Sequence, residues 1–448
     1  MQAVSPDKLQ ANIWKFYLFQ FLLNFQLWWP IWVLYLTEQR GFTLGQVTLI
    51  DVPFWMSIIA LQIPAAAIAD RWGRKPTLIA AACALTTAVT LFGLASSFPL
   101  ILASYLIWGI GFSLLFGTES AFLYDTLKAL GREEDYPRVY GRAWGLVTAA
   151  ALAGTLLGAP VAAATDLSFP IVISGGLAFL AVLAAATFTE PAPEARSERR
   201  LTYGRIIADS VDILRRRPAV RYSILFYGLI TVGSIAPVFF FQPFLLDHDI
   251  AVGQMGFWQT PARLAGIVGA VGAYRILAAL GPRRTFYLMP TVLFASYALL
   301  AVWNSIYAQL AFPFMTMMVF LSQPAVTDYI NRRVPTEQRA TMISLTNLIR
   351  AAVLIPSAPL LGLLADRVSL AASFWAGGAM IAVLGLPLLA LWSPHLLRES
   401  KPAPAPEPGP AAPAPKPATP PGRRAPYQAK PDSEVRSCAA NLASRTLM

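Results

Sequence analysis

Four ionisable residues stand inside long apolar stretches of this 448-residue sequence. Asp51 and Glu119 are carboxylates, and Arg263 and Arg350 carry guanidinium groups. A charge at the centre of a hydrocarbon layer costs about 2.5–3.5 kcal/mol on insertion scales, so such a residue pairs with another charge, faces a wet interior or binds something. A carboxylate in a low-dielectric cavity can load and release a proton near neutral pH. A guanidinium can pair with that carboxylate, or hold an anion with its planar fork of donors. The acids lie in the first half of the chain and the bases in the second, so ion pairing between the halves is the structural alternative.

Amides and aromatics surround these charges. Residues 20–32 contain Gln20, Asn24, Phe25, Gln26, Trp28, Trp29 and Trp32, and residues 239–244 contain three consecutive Phe, then Gln242 and Phe244. Trp and Phe near the ends of apolar runs are expected at membrane interfaces. Uncompensated amides are costly in lipid, so Asn24, Gln26 and Gln242 are the better candidates for groups facing a substrate cavity. Asn347, three residues before Arg350, and Tyr124, beside Asp125, are further candidates.

A third set of charges is placed to work at helix ends. Asp70, Arg71, Gly73, Arg74 and Lys75 follow one apolar run and precede the next. A carboxylate there can cap a neighbouring helix N-terminus, and the basic pair can clamp acids at adjacent helix ends. Asp125, six residues or ~9 Å along a helix from Glu119, is the expected partner of Arg71 or Arg74.

The elements that must position these residues are apolar helices. Hydrophobic residues make up 56% of the chain and charged residues 13%, against about 45–50% and 25% in soluble domains. Mean hydropathy is +0.54. Cytosolic enzymes, secreted disulfide scaffolds and ordinary nucleic-acid binders are excluded. Apolar runs near 13–37, 45–69, 77–96, 99–127, 140–164 and 169–188, then 220–246, 254–278, 285–303, 305–331, 341–363 and 370–392, can each cross a bilayer. With the N-terminus inside, all Lys and Arg fall on the inner side except Arg40, Arg367, Arg263 and Arg350, which sets both termini in the cytoplasm. The net charge of +11 thus reports topology, not a nucleic-acid partner.

This gives a six-helix unit over 1–189, a cytoplasmic linker over 190–219, a second six-helix unit over 220–395 and a disordered Pro/Ala-rich cytoplasmic tail over 396–448. Within the linker, Ile207, Val211 and Leu214 share a helical face ahead of three arginines, as in a helix lying on the membrane. The two units repeat. Gly73, Lys75 and Thr77 correspond to Gly281, Arg283 and Thr285 at an offset of 208, and Asp125 corresponds to Asp328 at 203. Parallel repeats of this kind place a substrate path between the two units.

The loop Asp70-Arg71-Trp72-Gly73-Arg74-Lys75 resembles the cytoplasmic loop signature of the major facilitator superfamily, with Ala66 where that pattern has its first glycine. The resemblance covers about 13–395, and the helix endings TESAFLYD and VTDYINRRVPTEQRATMISL are similar to a bacterial, drug-efflux-like branch. It implies an all-α polytopic membrane protein of twelve transmembrane helices, arranged as two pseudo-symmetric six-helix bundles, in the cell membrane. It also implies that Asp70, Arg71, Gly73, Arg74, Lys75, Asp125 and Asp328 form gating pairs that hold one of two alternating states. The fourth span faces the cavity in this family, which makes Glu119 the first candidate for proton coupling and Asp51 the second. The family's arginine in that span would fall near Tyr105 and is absent. Gly154, Gly158 and Pro160 form a loose version of a pattern associated with antiporters.

No phosphate-binding loop is present, and the only histidines, His248 and His395, lie outside the spans, so neither nucleotide-driven transport nor enzyme chemistry is expected. Cys83 and Cys438 offer no disulfide or metal site, and no cofactor is called for. The expected function is proton-coupled export of lipophilic small molecules or drugs by a monomer. The alternative is transport of a small metabolite, anionic and drawn to Arg263 and Arg350; a receptor or scaffold using the Pro-rich tail ranks behind both.

Overall fold

A computed structural model describes residues 5–191 and 214–397. The chain separates into two compact units, 1–400 and 401–448, and the second lies wholly outside the described residues. So do most of the linker, with its expected membrane-surface helix, and the Pro/Ala tail.

Among the described residues all regular structure is helical. A backbone in lipid must satisfy its own polar groups, and long apolar runs without strand partners do so as helices. Ten segments among the described residues are long and apolar enough to cross a membrane. The main helices of the first half are α1 (Pro6–Asn24), α2 (Asp51–Trp72), α3 (Arg74–Leu94), α4 (Phe98–Leu115), α5 (Thr118–Ala129), α6 (Tyr136–Ala164) and α7 (Phe169–Ala186). Those of the second half are α8 (Pro218–Ile230), α9 (Phe241–Leu246), α10 (Met255–Val302), α11 (Ala311–Asn331), α12 (Thr336–Arg367) and α13 (Leu370–Leu397).

The internal repeat is visible in the backbone. Gly73 separates α2 from α3 at φ 99°, ψ 166°, and Gly281 bends α10 at φ 74°, ψ 158°. Only glycine adopts this region without strain. One turn on from each, Thr77 and Thr285 donate their hydroxyls to the carbonyls of Gly73 and Gly281 at 2.8 and 2.9 Å. Runs 254–278 and 285–303 are therefore two helices that meet at the non-helical Gly281, as α2 and α3 meet at Gly73.

The first apolar run departs from the unbroken helix expected over 13–37. α1 ends at Asn24, and the chain resumes regular structure only at Trp32. Pro30 has no N–H to donate, and the backbone between is held by other elements instead. The hydroxyl of Ser174 on α7 accepts from the Leu27 N–H at 2.9 Å. Gly154 and Gly158 of α6 let that helix lie directly on the carbonyls of Gln26 and Leu27, where a Cβ would collide with them. Irregular backbone at membrane depth is tolerated where protein buries it, as here. The 99–127 run is also broken, at Gly117 with φ 79°, which leaves Glu119 in the first turn of α5. An acid there complements the positive end of the helix dipole.

Aromatic packing fills each half. Phe122 and Phe188 lie 4.6 Å apart by ring centroid in the first, and Phe241 and Phe312 lie 4.1 Å apart in the second. Buried Trp392 donates Nε1–H to the Tyr329 hydroxyl at 3.1 Å.

Candidate functional site

A cavity of about 770 Å³ lies between the two halves. Its first-half wall is largely aromatic, with Trp28, Trp29, Trp32, Trp55, Tyr105 and Trp108. Trp28 and Trp32 are almost wholly buried, so the expectation that these tryptophans form an interface belt fails; tight ring contacts hold them, Trp28 against Trp108 at 5.0 Å and Trp32 against Phe239 at 5.5 Å. Gln26 also lines the cavity.

Three of the four intramembrane charges meet here: Asp51, Arg263 and Arg350. They do not form the ion pairs that were the structural alternative. Among the described residues no carboxylate lies within 4.0 Å of either guanidinium, and the buried Nε of each has no hydrogen-bond partner. Each cation stands over an indole instead. The Arg263 guanidinium carbon is 4.9 Å from the Trp29 ring centroid, and that of Arg350 is 4.8 Å from Trp55. Trp55 is engaged twice, because its Nε1–H donates to Asp51 Oδ2 at 3.0 Å. It lies one turn after Asp51, so the shared helical face of α2 sets this contact.

The hydrogen bonds that join the halves cluster at one end of the cavity, and they use the backbone freed by the break after α1. Gln242 Oε1 accepts from the N–H groups of Val33 and Leu34 at 2.9 and 3.3 Å, while its Nε2 donates to the Trp29 carbonyl at 3.0 Å. Gln259 Nε2 donates to the Pro30 carbonyl at 2.8 Å. Asp366, near the end of α12, accepts from the N–H groups of Leu44 and Gly45 at 2.8 and 2.7 Å. Gly256 brings α10 against the Thr155 carbonyl of α6, and Gly362 brings α12 against the Leu44–Thr48 turn. In the other direction, toward the Asp70 loop, the wall includes the exposed residues Trp144 and Val271.

That loop is held within the first half. Arg74 reaches Asp70 at 3.3 Å and Asp125 at 3.4 Å. The helix N-terminus of α3 is capped by Glu190, not by Asp70: its two carboxylate oxygens accept from the N–H groups of Arg74 and Lys75 at 2.7 and 2.6 Å. A Cβ at Gly73 would stand 2.8 Å from Glu190 Oε1, a side-chain end that can shift, so the glycine is needed for its positive φ. Arg71 is exposed. In the second half Asp328 turns to Arg332, just past the end of its own helix, with both oxygens about 3 Å from Nε, so the repeat is kept by the backbone and not by the side-chain pairing. Glu190→Ala is expected to lower stability by about 1 kcal/mol, the usual cost of a lost N-cap, read as a lower midpoint of thermal unfolding.

Four candidates lie elsewhere. Glu119 Oε2 accepts from Gln20 Nε2 at 2.7 Å and is not among the residues lining the cavity. Asn24 donates to the Gln20 carbonyl one turn back. Gln242 is buried in the seal just described. Asn347 borders a small separate pocket of about 40 Å³ with Tyr227 and Arg339. Sequence inspection missed Trp55, Gln259, Glu190 and Asp366. Gln259 was findable, since a glutamine in an apolar run is as costly as Gln242.

A sequence profile of the Major Facilitator Superfamily matches residues 16–358. No curated protein sequence matches the chain. Several solved structures share the fold. A nucleoside transporter, NupG, superposes with a TM-score of 0.69 at 13% identity, covering 86% of this chain and 99% of that one. A bacterial homologue of the human lysosomal transporter Spinster, inward-facing and unoccupied, gives 0.67 at 16%, covering 90% and 100%. A D-xylose–proton symporter gives 0.63 at 12%, covering 86% and 97%.

Proposed function

The chain belongs to the major facilitator superfamily, and from that premise we propose that it is a twelve-span secondary transporter that moves a small molecule by alternating access. Ten apolar segments become twelve when 252–302 is counted as two at Gly281 and the broken first run is counted as a span. The observation that carries the reading is the cavity between the halves, closed at one end by Gln242, Gln259 and Asp366. Such a seal must break, and the other end must close, for the cavity to face both sides in turn. With the basic residues on the cytoplasmic side, the sealed end faces outward and this is the inward-open state. Arg74 with Asp70 and Asp125 then belongs to the inner gate.

Asp51 is the proposed proton carrier, because it is the one carboxylate lining the cavity among the described residues. Glu119, paired with Gln20 at a helix start, has a structural role that needs no proton transfer. The aromatic wall suits a substrate with a flat apolar body, and both export of lipophilic compounds and movement of a metabolite use such a wall. The packing of Gly154 and Gly158 on the first run accounts for those glycines without reference to direction.

Uptake into inverted vesicles, with and without a proton gradient, tests this. Accumulation of a lipophilic dye that an uncoupler collapses is the expected result for proton-driven export. Saturable movement of an organic anion instead selects the metabolite. Absence of gradient-dependent movement for every compound of a chemically broad panel would remove the transporter reading.

A further inference from the structure

Among its described lining residues the cavity holds two cations and one acid, so the cations outnumber the acid. Among the described residues neither Arg263 nor Arg350 has a carboxylate within 4.0 Å, Asp51 faces Arg350 only at longer range, and each keeps a buried Nε–H with no protein acceptor. Unpaired buried charge is costly and persists where a ligand supplies the partner. The tryptophans beneath them sharpen this. Trp29 and Trp55 occupy one flank of each guanidinium and leave the N–H groups free for an oxyanion. Asp51 forms no ion pair with either guanidinium in this geometry and accepts the indole N–H of Trp55 at its Oδ2. Both arginines come from the second half and both tryptophans from the first, so a ligand held here touches both moving parts.

On the transporter reading above, we propose that Arg263 and Arg350 form the anion-binding pole of the cavity, and that the substrate is a small organic oxyanion, a carboxylate or a phosphate ester, with an aromatic body. The oxyanion takes the free N–H groups and the ring lies against the Trp and Phe wall. The same two cations repel a cationic drug, which gives the site its selectivity.

The purified full-length chain in detergent is titrated with four naphthyl probes, 1-naphthoate, 1-naphthyl phosphate, neutral 1-naphthamide and cationic 1-naphthylmethylamine, followed by equilibrium dialysis. At least one oxyanion is expected to bind ten-fold or more tighter than the amide, with the amine weakest; the tighter of the two anions identifies the headgroup. Arg263→Gln and Arg350→Gln are each expected to weaken that anion ten-fold or more while leaving the amide within two-fold, which also reports that the variants are folded. Where a Gln variant does not elute as a single species, the Lys variant, which keeps the charge and loses the fork, is expected to weaken the anion by a smaller factor. Amide binding equal to that of the acids, no oxyanion binding, or anion affinity unchanged in the variants overturns the proposal. If amide or amine is then moved by the protein in proteoliposomes, the transporter reading stands without the anion site; if none of the four is moved, the anion site falls and the broad panel described above decides the transporter reading.

Discussion

Gly256→Ala is expected to leave a folded protein that transports at least about five-fold more slowly. A Cβ at 256 would overlap the carbonyl oxygen of Thr155 and press on Leu156, so α10 must back away from α6. That contact joins the two halves, and three residues on, Gln259 makes its bond to Pro30. Each half packs its own aromatic core and is untouched by the change. The cost therefore falls on the sealed state alone. Overpacking costs about 1–3 kcal/mol, which corresponds to roughly a 5- to 150-fold shift in a two-state equilibrium. Transport requires both states, so depleting one slows the cycle. The measurement is labelling of a cysteine placed at Thr148 in the cavity wall, in a background lacking Cys83 and Cys438, by an impermeant thiol reagent applied from the sealed end. Labelling rises in Gly256→Ala. Gly176→Ala, where an added Cβ meets nothing within 4 Å, serves as the control with unchanged labelling. Equal labelling and transport in both variants would show that this end does not open.

The features legible in the sequence were those fixed by local chemistry. Run length and apolarity located the spans because lipid leaves a backbone little choice but the helix. Gly73 and Gly281 announced equivalent turns because a positive φ in this region excludes other residues. Asp51, Arg263 and Arg350 border one cavity, an interior of the kind that charge in lipid demands, while Glu119, Asn24 and Asn347 lie elsewhere. What stayed hidden depends on tertiary neighbours. The break after Asn24 lies inside an apolar run and is stabilised by α6, Gln242 and Gln259, up to more than two hundred residues away. Ion pairing between the halves was the alternative that balanced charge offered, yet Trp55 bonds the acid with its edge and carries Arg350 on its face. Glu190 read as the start of a linker, because the helix end it caps is supplied by a loop more than a hundred residues earlier. Glu119 drew attention as an acid in an apolar run, before the Gly117 break gave it a helix start to complement.

Asp51→Asn is expected to abolish gradient-driven accumulation while exchange of substrate across the membrane continues within about three-fold of the parent. Asparagine keeps the volume and an oxygen for the Trp55 N–H, so the wall is preserved; it loses the charge and the site for a proton. The groups facing position 51 are Trp55 on its own helix, the Tyr105 hydroxyl from α4 and Arg350 from α12. Protonating Asp51 removes the only negative charge lining the cavity among the described residues and leaves two cations, so an oxyanion binds better to the protonated form. Binding linkage is reciprocal, and a bound oxyanion then favours uptake of the proton by the same factor. Oxyanion affinity should therefore rise as pH falls in the parent and lose that dependence in Asp51→Asn. Glu119→Gln is the informative companion, because glutamine can exchange hydrogen bonds with Gln20 through a flipped amide and no lining group changes. Accumulation in Glu119→Gln is expected to stay within about three-fold of the parent. If the two variants instead exchange phenotypes, with accumulation lost in Glu119→Gln and kept in Asp51→Asn, the proton travels through α5 and the cavity acid serves only to balance the arginines.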